Sequence, residues 1–440
     1  MSQTAPTRPR PETAPKELTA EKTKAPKRPP VVRAINAFGG VMSKARLGLP
    51  RFTPDSIRRS AEKISGYSDY GSNSYAPGLA TLCHALENEA ELNQMGRIVL
   101  HRQLSNALAG RLTVVAWEKA FPKQAEAPIE APIFVIGLPR TGTTILYETL
   151  AADPALRAPL TWECRDFALA HQAAANPEDD PRVKKLGRQM AQIDRLMPGF
   201  TAIHKFGPFI PTECIGLMLL DMASEQFGSL AWLPSYRDFL LSNDFSSVYE
   251  WHKRGLRYLQ ATQPGKTWML KSPLHTGYLD ALLKTYPDAR LIQTHRDPMK
   301  VISSVASLYK VSRGGWSDAD YDLPTRAWSD AAYYAEFVRR STVYRKNRPE
   351  HADRFLDVAF EGFMSNPMKV IEDIHAHFER PLTDKAHKTM ADYLTDRPRD
   401  KYGRHKYTPE QFGFTDAMRE ELFSDYLEEF GAYALQQSET

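Results

Sequence analysis

One stretch, residues 133–144, constrains the fold more than any other part of the chain. It reads IFVIGLPRTGTT, which is four apolar residues followed by a turn with two glycines and a proline. The apolar run predicts a buried strand, and residues 143–150 predict a helix. A strand that leads through a glycine-rich turn into a helix forms a cradle for anions. Backbone N–H groups point into such a turn, and the helix dipole adds positive charge at the same place.

The turn departs from a nucleotide P-loop at the position that decides its charge. Gly137 and Gly142 have the G-x-x-x-x-G spacing, but Thr143 stands where a P-loop carries lysine. The cation lies inside the turn instead, as Arg140. A nucleoside triphosphate also needs magnesium held near an acidic strand end, and none of the predicted core strands ends in aspartate. The turn therefore predicts a phosphate-like anion but fits a triphosphate poorly.

Strand patterns alternate with helical patterns through the rest of the chain. Further strands are predicted at 157–159, 267–271, 289–296 and 354–360, and helices lie between them. This alternation predicts an α/β fold with a three-layer, mainly parallel sheet. Ligands of such sheets bind beyond the carboxyl ends of the strands. The turns after Ile136, Leu270 and Thr294 should therefore line one crevice.

The remaining segments predict a tail and two helical regions. Residues 1–30 hold seven prolines and carry the whole net charge of +4, which predicts a disordered tail. Residues 31–125 predict a helical accessory region, and residues 126–440 the α/β domain with a helical acceptor-side insertion at about 166–263. Because the chain beyond the tail is nearly neutral, no nucleic-acid partner is predicted.

Two apolar features leave alternatives open. Residues 31–49 form a basic amphipathic stripe that either packs on the protein itself or makes a peripheral contact with an anionic membrane. The aromatic side chains of residues 232–251 either line a pocket for a hydrophobic acceptor or belong to the core. The chain shows no secretory signal pattern and no apolar run that could span a bilayer, so a cytoplasmic location is predicted. The three cysteines are scattered, without disulfide or zinc spacing.

Several cationic and polar residues should meet at the carboxyl edge of the sheet. Arg140 lies in the first turn, Lys271 ends one strand, and Arg296 follows the next, with Ser304 about two helical turns later. A basic loop could close over the same anion with Lys401, Arg404, His405 and Lys406. Two anionic sub-sites result, and a nucleotide with phosphates at both its 5′ and 3′ positions fits them.

These residues resemble the motifs of the sulfotransferases that use 3′-phosphoadenosine 5′-phosphosulfate. Residues 139–144 resemble the loop that binds the 5′-phosphosulfate, Arg296 to Ser304 the element that binds the 3′-phosphate, and residues 401–407 the C-terminal basic loop. The resemblance covers roughly residues 130–430. It is closest to the bacterial branch, to which the animal tyrosylprotein sulfotransferases are related.

The resemblance implies a role for each of these residues. Arg140 and the backbone of Thr141, Gly142, Thr143 and Thr144 would hold the 5′-phosphosulfate, and Lys271 would neutralise charge on the leaving oxygen. No metal is expected, because protein cations supply the positive charge. The predicted activity is sulfuryl transfer to a hydroxyl of a small-molecule or lipid-like acceptor. The aromatic side chains of residues 232–251 favour a hydrophobic or phenolic acceptor. The rivals are a P-loop kinase or NTPase and a non-catalytic, membrane-associated nucleotide-binding protein.

The acceptor hydroxyl must lose a proton, which requires a general base. Glu163 lies where the tyrosylprotein branch has its catalytic glutamate. His275 lies near the catalytic histidine of the cytosolic branch, but it follows Lys271 by four residues instead of two. Glu163 is therefore preferred. His204 and Glu213 are candidates for lining the acceptor pocket.

Overall fold

The computed structural model describes residues 30, 33–34, 36–37, 50–172, 176–191, 207–317, 323–396 and 408–436. The predicted tail falls outside the described residues except for residue 30, and so does the stripe at 31–49 except for four of its residues. His204 and the basic loop with Lys401, Arg404 and His405 also lie outside them. The predictions made for these segments therefore stay predictions.

A parallel sheet of five strands forms the centre of the molecule. The strands are β1 (Ile133–Gly137), β2 (Leu156–Arg157), β3 (Thr267–Lys271), β4 (Arg290–His295) and β5 (Phe355–Ala359). Their order is β2-β3-β1-β4-β5, and every neighbouring pair is parallel. The predicted parallel α/β sheet is confirmed.

Helices surround the sheet and precede it. Those before β1 are α1 (Pro54–Ser65), α2 (Tyr75–Asn88), α3 (Gln94–Ala120) and α4 (Pro122–Ala125). Those between β1 and β3 are α5 (Thr143–Leu150), α6 (Thr161–Arg165), α7 (Phe167–Gln172), α8 (Pro181–Ala191), α9 (Ile215–Met218), α10 (Pro234–Ser242) and α11 (Ser246–Gln260). The later ones are α12 (Leu279–Thr285), α13 (Pro298–Gly314), α14 (Leu323–Asn347), α15 (Phe360–Ser365), α16 (Pro367–His377), α17 (Asp384–Thr395) and α18 (Asp416–Ala434).

The central strand β1 is buried on both faces, as its continuous apolar sequence requires. Ile133 and Val135 face one core, which α5, α16 and α17 cover. Phe134 and Ile136 face the other core, to which α1, α2, α3, α11 and α14 contribute. Side chains alternate along a strand, so one short sequence serves both layers. The predicted three-layer arrangement is therefore confirmed.

The helices before β1 share their core with the sheet. Leu82 of α2 and Leu104 of α3 belong to the same cluster of buried residues as Phe134. Arg111 of α3 forms a buried ion pair with Asp221 at 2.8 Å, which ties this layer to the segment between the strands. The division of the chain at about residue 125 stays a prediction.

The aromatic residues between β2 and β3 are mostly core. Tyr236, Phe245, Tyr249 and Trp251 are all fully buried. Of the two interpretations of this segment, the structure therefore supports the core for these four side chains. Among the described residues, no helix is both long enough and apolar enough to cross a bilayer.

The register of the sheet brings the predicted site residues to one edge. Val135 pairs with Lys271 of β3, and Gly137 pairs with Thr294 of β4. Because all the strands run in one direction, the turns that follow β1, β3, β4 and β5 emerge side by side.

Candidate active site

The turn after β1 has the backbone shape of an anion cradle. Gly137, Arg140 and Gly142 have φ angles of +123°, +70° and +83°. Gly142 is the N-terminal cap of α5, and no side chain caps the helix. The first-turn N–H groups of α5 and its dipole therefore favour an anion at this end of the helix.

Both glycines of the turn are required by their neighbours. A Cβ on Gly142 would lie 2.7 Å from Cδ2 of Phe360, and a Cβ on Gly137 would lie 2.5 Å from the carbonyl oxygen of Thr294. The N–H of Gly137 also donates to Oγ1 of Thr276 at 2.8 Å. The turn is thus held by Thr276 after β3, by Thr294 near the end of β4 and by Phe360 after β5.

Arg140 and Arg296 join the cradle to the second predicted sub-site. Nε of Arg140 donates to Oγ of Ser304 at 3.0 Å. Nη1 of Arg296 donates to the carbonyl oxygen of Arg140 at 2.9 Å. The three residues, which are separated by up to 164 positions in the chain, therefore form one contiguous cationic site.

Arg296 is held in place by an aromatic ring. Its guanidinium carbon lies 4.0 Å from the centroid of the Phe360 ring, which is a cation–π contact. Its Nε is buried and has no hydrogen-bond partner in the part of the chain that the structure describes. A cleft of about 270 Å³ lies beside it, with Lys300 and Asp297 in its wall. A donor left unsatisfied beside an open cleft is suited to an anionic ligand.

Lys271 connects the cradle to a carboxylate. Its Nζ donates to Oγ1 of Thr144, in the first turn of α5, at 3.2 Å. It also forms an ion pair with Glu213. The side chain of Lys271 is buried, whereas that of Glu213 is 24% exposed. Glu213 is therefore a partly exposed carboxylate, and the ammonium group of Lys271 links it to Thr144 of the cradle.

Glu163 has a different environment. One carboxylate oxygen accepts from Nη2 of Arg157 and the other from the N–H of Leu160, both at 2.8 Å. The side chain is only 5% exposed. Arg157 pairs with Trp268, near the start of β3, whereas Lys271 ends that strand. In this conformation Glu163 thus fixes the start of α6 and does not contact Lys271.

Comparison with known proteins agrees with this geometry. The model of the family described as "Sulfotransferase family" matches residues 132–384, which is more than half of the chain and includes the sheet, the cradle and Lys271. The chain belongs to the sulfotransferase family. This membership favours the predicted sulfuryl transfer over the kinase and over the non-catalytic protein.

Two solved mycobacterial sulfotransferases share the fold. The sulfotransferase STF9 of Mycobacterium avium is 30% identical, with a TM-score of 0.76 over 86% of this chain and 96% of that one. The sulfotransferase STF1 of Mycobacterium tuberculosis is also 30% identical, with a TM-score of 0.73 over 84% and 98%.

A further relative is a sulfotransferase named for a hydroxylated menaquinone derivative. The omega-hydroxy-beta-dihydromenaquinone-9 sulfotransferase Stf3 of Mycobacterium bovis is 24% identical over 330 residues, which are 70% of this chain and 79% of that protein.

His275 lies inside the sulfotransferase core. It belongs to the short helical turn after β3 and is fully buried. Its Nδ1 is 2.7 Å from the hydroxyl of Tyr249, and its ring packs edge-on against Phe134 at 4.9 Å. Burial lowers the pKa of its imidazole well below the ordinary value. A base in this position has no exposed surface for an acceptor to approach, so the structure does not favour His275 for that role.

Sequence reasoning missed several contacts that shape the site. Phe360 was predicted only as the end of a strand, yet it supports Arg296 and sets the size limit at Gly142. Thr276 holds the turn of the cradle. The pairing of Glu213 with Lys271 joins residues 58 positions apart. A useful signal was available for Glu213, because an acidic residue between two predicted core segments needs a cationic partner.

Proposed function

We propose that this sulfotransferase transfers a sulfuryl group from 3′-phosphoadenosine 5′-phosphosulfate to the hydroxyl of an apolar, lipid-like acceptor. The observation that carries the proposal is the junction of two anion sites. Arg140 reaches Ser304, and Arg296 reaches the backbone of Arg140. A donor with anionic groups at both the 5′ and the 3′ position of one ribose fits two joined sites better than a nucleotide with a single phosphate chain does.

Each of the two anion sites is proposed to bind a different part of the donor. The open N-terminus of α5 and Arg140 suit the 5′-phosphosulfate, since backbone N–H groups and a guanidinium both favour anionic oxygens. Arg296 and Ser304 suit the 3′-phosphate, and the buried Nε of Arg296 has no hydrogen-bond partner among the described residues. The basic loop with Lys401, Arg404 and His405 is proposed to complete this side.

Lys271 is proposed to act where the bond breaks. During transfer the bond from sulfur to the bridging phosphate oxygen breaks, a bond from sulfur to the acceptor oxygen forms, and the acceptor proton is released. Negative charge grows on the bridging oxygen, and a preorganised cation there lowers the barrier. Lys271 already contacts Thr144 in the first turn of α5. No metal is required for this step.

Glu213 is proposed to accept the proton. It is partly exposed and lies beside Lys271, whereas both oxygens of Glu163 are bonded and His275 is buried. Once the donor binds, its anionic groups compete for Lys271 and release the carboxylate of Glu213. The roles of Glu163 and His275 as bases stay predictions, which the contacts of this conformation support less well.

The acceptor class is argued from a relative and from the surface near Glu213. Stf3 is named for a hydroxylated menaquinone, which is a lipid alcohol. In this chain the segment that leads to Glu213 pairs with the start of α6 through Leu160 and Pro211. Among the described residues, Phe209, on the same segment, is a large apolar side chain that is exposed. An apolar acceptor that contacts Phe209 would therefore lie on the segment that leads to Glu213.

Binding of the product nucleotide tests the donor assignment. We expect calorimetry to show saturable binding of adenosine 3′,5′-bisphosphate without magnesium. Arg296→Ala should weaken this binding about 10- to 100-fold, because it removes charge-assisted hydrogen bonds. Arg59→Ala, which changes an exposed arginine of α1, is the control. Tighter, magnesium-dependent binding of ATP would instead support a kinase or NTPase.

Transfer of labelled sulfate tests the acceptor. We expect a long-chain isoprenoid alcohol to be sulfated with a higher kcat/KM than a simple phenol, a sugar or a tyrosine peptide. Preference for the sugar would contradict the apolar acceptor while leaving the donor assignment intact.

A further inference from the structure

Three potential metal ligands meet in the core beside the active site. They are Cys214, which follows Glu213, His252 of α11, and His275 of the turn after β3. Their ligand atoms all lie within 4.8 Å of one another, and all three side chains are buried. None of them has a role in the transfer chemistry proposed above.

Both histidines have one ring nitrogen that lacks a partner. Nε2 of His252 and Nε2 of His275 are buried and make no hydrogen bond with any described residue. A buried polar atom left unsatisfied costs about 1–3 kcal/mol, so two of them in one place require an explanation.

The other ring nitrogens are already held as they are in metal sites. Nδ1 of His252 lies 2.7 Å from the hydroxyl of Tyr286, and Nδ1 of His275 lies 2.7 Å from the hydroxyl of Tyr249. A metal-binding histidine usually bonds its second nitrogen to a polar group, which fixes the tautomer and the orientation of the ring. When Nδ1–H donates to the tyrosine oxygen, Nε2 carries the lone pair that a metal ion can accept.

We propose that Cys214, His252 and His275 bind one transition-metal ion of the class of Zn²⁺ or Cu⁺. A thiolate and two imidazoles are ligands that such ions prefer. Ligand atoms bound at about 2.0–2.3 Å lie roughly 3.3–3.8 Å apart, so the cluster needs to tighten by only about 1 Å. Binding releases one proton, from the thiol of Cys214.

The ion would fasten the two segments that carry the proposed catalytic pair. Cys214 is adjacent to Glu213 and donates its backbone N–H to the carbonyl of Lys271 at 2.9 Å. His275 is four residues beyond Lys271. A bond from both to one ion would fix the position of Glu213 relative to Lys271 without contacting donor or acceptor. The role is structural and does not depend on the identity of the nucleotide.

Metal analysis of the full-length protein tests the site. Protein purified without a metal-affinity column is analysed by plasma mass spectrometry, and the metal-free protein is then titrated separately with Zn²⁺, Cu⁺ and Co²⁺. We expect one tightly bound ion per chain, and for Co²⁺ the near-ultraviolet absorption of a cobalt–thiolate bond. If none of the three ions binds stoichiometrically, the proposal is overturned.

Two variants and one spectroscopic measurement locate the ion. Cys214→Ser should abolish the cobalt–thiolate band, whereas Cys83→Ser, which changes another buried free cysteine, should leave it unchanged. X-ray absorption of the unmodified zinc-loaded protein should show one sulfur and two imidazole ligands, which covers the case that Cys214→Ser does not fold. Binding that persists fully in Cys214→Ser, or a first shell without sulfur, would show that the ion binds elsewhere.

Discussion

At the scale of single residues, two glutamates show how position in the fold separates similar side chains. Glu163 gives one oxygen to Arg157 and the other to a backbone N–H, which is the environment of a structural carboxylate. Among the described residues, Glu213 forms its ion pair with Lys271, and it remains partly exposed. In the proposed mechanism the acceptor hydroxyl approaches the partly exposed Glu213, whereas Glu163 would first have to give up one of its two hydrogen bonds.

We therefore expect Glu213→Gln to lower kcat by about 10²- to 10⁴-fold, the usual contribution of a general base. Binding of adenosine 3′,5′-bisphosphate should be kept or increased, because Lys271 loses its competing carboxylate. Steady-state kinetics and calorimetry on the same preparation separate the two effects.

Glu163→Gln is the matched variant. It should lower the melting temperature, since it leaves the buried guanidinium of Arg157 without its counter-charge. The kcat of its folded fraction should stay close to that of the wild type. The opposite pattern, with full turnover in Glu213→Gln and none in Glu163→Gln, would return the role of base to Glu163.

At the scale of elements, the cradle depends on the contact between the turn before α5 and the start of α15. Phe360 occupies the space where a side chain on Gly142 would lie, and its ring supports Arg296. The shape of the turn and the position of the Arg296 guanidinium thus depend on one aromatic ring, and both bear on the proposed anion binding.

Gly142→Ala should therefore affect both stability and ligand binding. Gly265 has nearly the same φ, +84°, but no atom lies within 4 Å of the place where its Cβ would be. Gly265→Ala should cost only the strain of the left-handed backbone, about 1–2 kcal/mol, and leave nucleotide binding unchanged. Gly142→Ala should cost more and weaken bisphosphate binding, because Phe360 and Arg296 must move. Equal effects of the two variants in urea unfolding and calorimetry would contradict this role of Phe360.

The elements were predictable from local patterns, and most of their contacts were not. Each of these patterns can be recognised within a short stretch of sequence: the apolar run of β1, the glycine-rich turn, and the alternation of strands with helices. The structure confirms them. Lys271 and Glu213 are 58 positions apart in the chain, so no local periodicity predicts their contact. His275 illustrates the same limit, because its burial under β1 results from packing between distant segments.

At the scale of the whole molecule, the edge strand β5 is tied to α14 and β4 through a carboxylate whose side chain is only 13% exposed. Asp357 of β5 accepts two hydrogen bonds from Arg345 of α14, at 2.6 and 2.8 Å, and contacts Nε2 of His295 at 2.8 Å. Burial alone would raise the pKa of Asp357, but the contacts with Arg345 and His295 outweigh it and lower the pKa to about 2.

The lowered pKa predicts a dependence of stability on acid. Because the folded pKa lies below the ordinary value of 3.8, the stabilisation is complete above that value and disappears as the pH falls towards about 2. The difference corresponds to about 2 kcal/mol. Asp357→Asn should lose this amount near neutral pH, and the gap to the wild type should narrow below about pH 4.

Urea unfolding at several pH values measures the gap. Asp353→Asn, a change at an exposed position of the preceding turn, is the control and should match the wild type at each pH. A gap between Asp357→Asn and the wild type that stays constant down to acidic pH would mean that packing, and not charge, accounts for the loss.

The hydrogen bond from Arg296 to the carbonyl of Arg140 has a consequence for the timing of binding. Arg140 has a φ of +70°, which a non-glycine residue adopts only at a cost, and this bond holds it there in the free protein. A nucleotide that binds as proposed therefore meets a turn that is already folded, so this turn does not have to order during association. We therefore expect differences in affinity among nucleotides to appear mainly in their dissociation rates.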